Sequence, residues 1–574
     1  MIHRRKLLLS LLGSSALGSS AMAGSAPRRP MGTRPNIVAI VLDDLGFSDL
    51  GCFGGEIRTP NIDRLAARGL RYNRFDTKAV CSPTRASLMT GRNAHTVRMP
   101  DVPDVLSVPG GGPYPEGTFH IPAEAQNLAQ ALRGAGYANW LVGKWHLVPM
   151  DQLDDPAKGD AWPLQRGFDR FYGFARGWTD QYRPALVEDD RYISPDLPAD
   201  YHLSADLVSR STDMIRGHRA SRPEQPFFLY LGLGVAHSPI QVPARYADAY
   251  AGTYEKGWDA MRAERFERMK RMGVIPADTN LPQREAGDRA WADLSDDERV
   301  VFARHMALYA GFVQHADEQI GRLFETLEAT GQAENTIVVL LSDNGPASEA
   351  GQAGVFDGLY RPNTLPPSEQ RARLAELGAP GNQSQYPRPW AFAGSTPFQR
   401  YKLWPHLGGV RAPLIVSWPA VIRDGGAVRS QALDVIDVAP TLLEAAGTAF
   451  AGEAGGRTQT PVAGRSFSAS FTDPRAPDPR DTQYFELRGS RAIRSGRWRA
   501  VATHPCGQPF EDDRWALYDL ETDFSESRDV SARHPDVLAR LKRLWQEEWS
   551  RYSPHPLTQP PARICESLAH YDSH

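Results

Sequence analysis

The sequence predicts an α/β protein: a large, mainly parallel sheet sandwiched by helices, with a smaller α+β subdomain at the C-terminal end. Short, near-continuous apolar runs alternate with helical patterns along most of the chain, and repeated strand–helix–strand units build a parallel sheet with helices on both faces. From about Pro474 the pattern changes to short strands in quick succession. A length of 574 residues accommodates one large domain with an appendage.

In chain order, Arg4, Arg5 and Lys6 precede a leucine-rich run from Leu7 to Leu12 and a small-residue tract ending at Ala23. That order marks a secretory signal peptide over residues 1–26, implying a periplasmic or secreted protein, and the paired arginines also fit a twin-arginine signal. The apolar run falls short of the roughly 20 residues of a spanning helix, and no later segment qualifies, so no membrane span is expected in the mature chain. Asn36–Leu42, Ala138–Val142, Pro226–Leu233 and Thr336–Leu341 read as strands buried on both faces. The longest helix is predicted from the capping box Ser295-Asp296-Asp297-Glu298 to Leu327, closed by Gly331. Pro100–Pro122 and Gly351–Pro405, rich in Pro and Gly, are expected to be long loops roofing a site. Gln483–Leu487, Ser490–Thr503 and Trp515–Leu520 read as short antiparallel strands, followed by an amphipathic helix over Pro535–Arg551. The expected organisation is a main domain over 27–473 and a subdomain over 474–574.

Lys plus Arg is 65 and Asp plus Glu is 68, a net charge of −3. A dedicated nucleic-acid binder would carry a basic excess, so no nucleic-acid partner is expected. Four cysteines rule out a disulfide-built scaffold. Cys52 reads as a packed thiol, and the sequence leaves open whether Cys506 and Cys565 pair.

Ligands of open α/β sheets bind just beyond the carboxyl ends of the strands. Asp43-Asp44, Lys144-Trp145-His146, His237 and Asp343-Asn344 stand at four such ends. Taken singly, each has an ordinary explanation: a cap, a turn, or a satisfied polar residue. Together, three carboxylates and an amide oxygen form a hard donor set suited to Ca²⁺ or Mg²⁺. Lys144, His146 and His237 would then hold an anion and move protons. The most specific segment is Cys81-Ser82-Pro83-Thr84-Arg85-Ala86-Ser87-Leu88-Met89-Thr90-Gly91-Arg92. It reads either as a buried cysteine at a helix start capped by Ser82, or as an electropositive site for an anion or a reactive thiolate.

Cys-x-Pro-x-Arg followed by Ala-Ser-Leu-Met-Thr-Gly-Arg resembles the signature of the type I, formylglycine-dependent sulfatases, of the alkaline-phosphatase-like superfamily. Asp43-Asp44, Cys81, Lys144-x-His146, His237, Asp343-Asn344 and Lys402 follow the family's order over Pro35–Gly447, most closely that of bacterial arylsulfatases. The resemblance implies a sulfatase catalytic domain over 27–473 that hydrolyses aryl and alkyl sulfate esters. Cys81 would be converted to Cα-formylglycine by a formylglycine-generating enzyme, and one Ca²⁺ would be bound by Asp43, Asp44, residue 81, Asp343 and Asn344. The hydrated aldehyde, assisted by Arg85, would attack sulfur to give a covalent sulfate ester. Lys144 would help bind the sulfate oxygens, His237 would protonate the leaving group with assistance from Lys402, and His146 would take the proton that releases sulfate. Leu407 departs from the pattern, because many members carry Glu before the paired glycines. Two other readings stand beside this one: a phosphonate monoester or phosphodiester hydrolase using the same site, and a non-catalytic binder of sulfated ligands with Cys81 unmodified.

Aromatic residues of the two long loops, including Tyr114, Phe119, Tyr360, Tyr386, Trp390, Phe392, Phe398 and Trp404, are expected mostly to pack the loops down. Arg361, Arg371, Arg373 and Arg388 alternate with acidic residues, which makes no case for a polyanionic substrate.

Overall fold

Alternation of side chains across a strand decides how this protein divides its interior. In the computed structural model, Val38, Ile40 and Leu42 of the first strand join one apolar core, and Ile37, Ala39 and Val41 join another on the opposite face. The structure describes residues 34–106, 117–285, 287–358, 363–557, 559–560 and 565. The segment read as a signal peptide, with Arg4 and Arg5, lies outside them, as do Tyr114, Tyr360 and Arg361.

The main sheet comprises β1 (Asn36–Leu42), β2 (Leu70–Tyr72), β3 (Ala138–Lys144), β4 (Arg170–Phe174), β5 (Leu186–Glu188), β6 (Arg191–Ile193), β7 (Phe227–Gly232), β8 (Thr336–Ser342), β9 (Leu414–Ser417) and β10 (Val428–Arg429). Its spatial order is β10-β2-β9-β8-β1-β7-β3-β4-β5-β6. The central strands β8, β1, β7, β3 and β4 are parallel; the first four are the predicted apolar runs, and β4 was not read from the sequence. Antiparallel pairings of β9 with β8, β5 with β4 and β6 with β5 make the sheet mixed toward its edges.

Helices cover both faces. In chain order they include α1 (Pro60–Arg68), α2 (Cys81–Thr90), α3 (Leu128–Gly134), α4 (Leu203–Ser221), α5 (Asp296–Ala329) and α6 (Val438–Ala445). Ile62 of α1, Leu207 of α4 and Leu308 of α5 enter the first core; Leu88 of α2, Leu132 of α3 and Leu442 of α6 enter the second. The predicted capping box starts α5: Ser295 accepts from the Glu298 N–H at 3.3 Å, and the Glu298 carboxylate accepts from the Ser295 N–H at 2.7 Å.

The C-terminal sheet is antiparallel, in the order β11 (Thr482–Leu487), β12 (Ser490–Ser495), β13 (Trp498–Ala502) and β14 (Trp515–Asp519). The run Ser490–Thr503, read from sequence as one strand, is two. Gly496 takes φ +57° between them, a conformation glycine adopts without steric cost. Tyr484, Ile493, Ala500 and Leu517 pack against Leu541 and Trp545 of α7 (Pro535–Tyr552), whereas Phe485, Leu487, Ala492 and Val501 join the first core of the main sheet. Cys506 and Cys565 form a disulfide with their Cα atoms 5.5 Å apart. Cys52 is a buried thiol.

Gly351–Pro405 is less loop-like than its composition predicts, since it contains the helices Pro367–Ala372 and Arg388–Gly394, the second entirely buried. Phe119, Tyr386, Trp390, Phe392, Phe398 and Trp404 are all buried, consistent with packing. Arg371 pairs with Asp297, Arg373 with Glu376 and Arg388 with Asp288, so these three arginines are spent on internal ion pairs. Among the described residues no helix is long and apolar enough to cross a membrane.

Candidate active site

Because β8, β1, β7 and β3 are parallel neighbours, their carboxyl ends lie side by side, and the residues that follow them meet. Asp43 and Asp44 leave β1, Lys144 ends β3 with His146 two residues on, His237 follows β7, and Asp343-Asn344 leave β8. Asp44 and His146 take left-handed conformations, φ +60° and +57°. Asp and His tolerate this region better than most residues.

Three glycines lie level where β7, β3 and β4 end: Gly143 pairs in register with Gly232 and with Gly173. A Cβ at Gly143 would stand 1.9 Å from the Gly232 carbonyl oxygen, and one at Gly232 would stand 2.6 Å from the Lys144 carbonyl oxygen and 3.2 Å from Arg85 Nη1. This absence of side chains lets the Arg85 guanidinium reach the Lys144 carbonyl, at 3.1 Å.

Helix α2 delivers Cys81 at its first turn and Arg85 one turn later. Its N-cap is Val80, which has no side chain able to cap. Ser82, predicted as the cap, instead donates to the His146 carbonyl oxygen at 2.8 Å and ties the helix to the end of β3. Gly91 closes the helix in the left-handed conformation, φ +63°.

Cys81 Sγ lies 3.1 Å from His146 Nδ1. The other ring nitrogen of His146 lies 3.0 Å from Asp104 Oδ1, while Asp104 Oδ2 accepts from the Gly177 N–H at 3.1 Å. Arg85 donates from Nε to Asp343 Oδ2 at 2.8 Å and from Nη1 to the Tyr230 hydroxyl at 3.3 Å. Lys144 Nζ contacts Asp43 at 2.7 Å. Lys402 Nζ bridges Asp44 at 2.8 Å and Glu349 at 2.9 Å, and His237 Nε2 stands 3.7 Å from Asp44. The ten residues singled out in the sequence therefore converge. Asp104, Tyr230 and Glu349 were not foreseen; they occupy the short helix Pro103–Leu106, strand β7 and a turn, without a distinguishing pattern, and only the fold brings them in.

Electrostatics separate these groups. Burial opposes ionisation of Asp43, but Lys144, His237 and Arg85 outweigh it and hold the carboxyl below the usual range. Burial pushes Asp44 up to about 6 against the pull of Lys402, with Asp43 and Glu349 adding to the rise. Burial, then Asp43, likewise pushes Asp343 up to about 6 despite Arg85. For His146, burial is overcome by the Cys81 sulfur and Asp104, which raise it to about 9. His237 is pushed down to about 4 by burial and by Lys402.

Two buried oxygens, Asp43 Oδ1 and Asn344 Oδ1, have no hydrogen-bond partner. The Asn344 amide nitrogen donates to Asp44 Oδ1 at 2.6 Å and to the Gly345 carbonyl at 2.9 Å, which fixes the amide with its oxygen free. One ligand atom each from Asp43, Cys81 and Asp343 lies within 4.8 Å of the others. These are the marks of a cation site. Asp44 adjoins this cluster: its N–H donates to Asp343 Oδ1 at 3.3 Å, and its carboxylate accepts from Asn344.

A family model described as sulfatase matches residues 35–448. The chain belongs to the sulfatase family. A second model, described as N-sulphoglucosamine sulphohydrolase, C-terminal, matches residues 401–549 of this sulfatase. It is 32% identical over 538 residues to an uncharacterized sulfatase of Schizosaccharomyces pombe, covering 89% of this chain and 93% of that one. It is 31% identical over 430 residues to an arylsulfatase of Klebsiella aerogenes, covering 72% of this chain and 87% of the relative. Among solved structures, Ps i-CgsB in complex with k-i-k-neocarrahexaose shares the fold, with a TM-score of 0.61 at 22% identity over 94% of this chain and 98% of that one. The fold is thus the alkaline-phosphatase-like fold of sulfatases, and the activity class is sulfate ester hydrolysis. Leu407, the departure from the family pattern, is buried. Its N–H donates at 2.8 Å to Glu526, a carboxylate brought in from the C-terminal region.

Proposed function

We propose that this sulfatase hydrolyses sulfate esters of phenols, and also of alcohols, with residue 81 as nucleophile once a formylglycine-generating enzyme has oxidised its thiol to the aldehyde. The observation that carries the reading is the position of Cys81: at the head of a buried helix, 3.1 Å from His146 and within 4.8 Å of ligand atoms of Asp43 and Asp343. Asp43, Asp44, residue 81, Asp343 and Asn344 would hold one Ca²⁺, the cation that hard oxygen donors favour. When bound, that ion supplies charge neutralisation and orientation of the sulfate for in-line attack. The hydrated aldehyde supplies the attacking oxygen and a second hydroxyl that permits sulfate to leave.

The rest of the chemistry belongs to the chain's own side chains. Arg85, fully buried against Asp343, places positive charge beside residue 81 and favours loss of its proton. Lys144 binds sulfate oxygens, and Asp43, outweighing the opposing effect of burial, keeps its ammonium charged. His146 presents Nδ1 to residue 81 and takes the proton whose removal releases sulfate. At the leaving group, His237 Nδ1 lies 2.6 Å from the Ser238 carbonyl oxygen. A carbonyl only accepts, so the neutral ring carries its proton there and offers a bare Nε2. An anionic ester beside the ring raises its proton affinity, whereas Lys402 is already charged between Asp44 and Glu349. Lys402 is therefore the ready donor, and His237 acts once substrate is bound.

Residues 27–473 are taken as the catalytic domain and 474–574 as its C-terminal subdomain, with 1–26 as an export signal to the periplasm or medium. The test is mass spectrometry of the tryptic peptide Ala79–Arg85 from the native host, with parallel turnover of aryl sulfate, phosphate and phosphonate esters. An aldehyde at residue 81 and preferred sulfate turnover are expected. Faster phosphonate turnover would select the rival hydrolase, and an unmodified thiol with no turnover would select the binder.

A further inference from the structure

The segment that carries Asp104 is gripped by the C-terminal subdomain. Along β11 and the turn after it, Gln483 donates to Asn93 at 2.9 Å, the Tyr484 hydroxyl meets His95 at 3.2 Å, and Glu486 meets the other ring nitrogen of His95 at 2.8 Å. The last grip is the strongest. Arg488 donates from Nε to Asp101 Oδ2 at 2.7 Å and from Nη2 to Asp101 Oδ1 at 3.1 Å, a two-pronged pair in which the Asp101 side chain is 0% and that of Arg488 8% exposed. Such paired, charge-assisted bonds fix direction as well as distance.

Arg488 reaches Asp101 from a two-residue turn between β11 and β12, in which Arg488 takes φ +51° and Gly489 φ +83°. A side chain in that region crowds its Cβ against the following carbonyl oxygen, and hairpin turns with both central residues at positive φ favour Asn-Gly or Gly-Gly. An arginine held there is a departure that the turn alone does not explain. The ion pair with Asp101 supplies a reason.

Asp101 is joined to Asp104 by only Val102 and Pro103, both buried. The Val102 N–H closes onto Asp101 Oδ1 at 2.8 Å, and proline fixes its own φ and restricts the residue before it. The link is short and stiff. Asp104 then holds His146 Nε2 with one oxygen and the Gly177 N–H with the other. A Cβ at Gly177 would meet His146 Cε1 at 2.8 Å and Asp104 Oδ2 at 3.0 Å, so the pair sits flush against that backbone.

We propose that the C-terminal subdomain positions His146 through Arg488, Asp101 and Asp104, making Arg488 and Asp104 positioning residues for proton transfer at residue 81. The inference rests on the reading of His146 as the proton acceptor, and the experiment tests the two separately. Full-length, matured protein is assayed for kcat, KM and melting temperature on an aryl sulfate as the variants His146→Ala, Asp104→Asn, Arg488→Met, Arg488→Lys and the double Asp104→Asn/Arg488→Met. Loss of the outer hydrogen-bond partner of a metal-bound histidine costs about 10- to 100-fold, and the lower end of that scale is taken for His146. Arg488→Met should therefore lower kcat about tenfold with KM changed less than about twofold, and Arg488→Lys should recover part of the loss. In the Asp104→Asn background, Arg488→Met should add less than about a twofold effect, because coupled residues are not additive. An unchanged kcat in Arg488→Met, or a full second loss in the double variant, overturns the proposal. Should Arg488→Met not fold, the isosteric Asp101→Asn is measured with the same expectations. If His146→Ala keeps wild-type kcat, the reading of His146 fails instead. The relay is then judged by a crystal structure of Arg488→Met, in which an undisturbed Asp104–His146 contact overturns it.

Discussion

Lys402 should owe its stability cost on removal to the carboxylates it leaves behind. Its ammonium lies 2.8 Å from Asp44 and 2.9 Å from Glu349, with side-chain exposures of 5%, 1% and 9% for the three residues. At an effective dielectric constant of about 20, each contact is worth about 6 kcal/mol of attraction, which is set against a desolvation cost of several kcal/mol per ion. In the metal-free protein, Lys402→Met therefore leaves two buried carboxylates, Asp44 and Glu349, without their cation. Breaking one partner out of such a group costs about 3–5 kcal/mol. Adding Glu349→Gln removes one of the two orphaned charges, so the double variant should regain about half of that loss, about 2 kcal/mol. Activity should not follow, because Lys402, one of the two groups that serve the leaving group, is missing in both variants; kcat on an aryl sulfate should stay at least about 100-fold down. The assay is the urea midpoint of unfolding, read by tryptophan fluorescence, alongside kcat. A double variant no more stable than Lys402→Met, or one that regains activity with stability, would refute the reasoning.

Three further outcomes are expected. Burial pushes His202 down to about 4, with Nδ1 accepting from the Ser204 N–H at 3.2 Å and Nε2 lying 3.1 Å from the Gln241 carbonyl. The unfolded chain binds this proton near pH 6.5 and the folded chain only near 4, so stability should fall as pH drops through that window, by about 3 kcal/mol from this group; a His202→Asn variant with an equally steep urea-midpoint profile would contradict it. Treatment with EDTA should abolish aryl sulfate turnover and added Ca²⁺ should restore it, and calorimetric titration of the stripped protein should show one site, weakened at least about tenfold by Asp43→Asn; stripped enzyme with full activity would remove the metal from the mechanism. Gly232→Ala should drive a methyl group against the Lys144 carbonyl and Arg85 and cost about 1–3 kcal/mol with a loss of kcat; a variant with native kcat would show that the close approach is dispensable.

The sequence by itself determined the central sheet and which polar residues meet at its carboxyl edge. Near-continuous apolar runs of strand length mark strands buried on both faces, and in a parallel sheet the next residues along the chain must emerge at one edge. That is why Asp43, Lys144, His237 and Asp343 could be placed together before any coordinates. The Cys81–Arg85 spacing was equally local, one helical turn. The tertiary structure alone decided the partners. Asp104 reaches His146 across 42 positions, Glu349 reaches Lys402 from a segment without periodicity, and Arg488 reaches Asp101 across 387. Whether Cys506 and Cys565 meet was likewise settled by the fold, which brings Cys565, beyond α7, to the loop between β13 and β14. Periodicity records which face of an element is buried, but not which distant loop completes a hydrogen bond. Such pairings follow from the packing of the whole chain, where a buried charge must find its counter-charge wherever the fold has placed it.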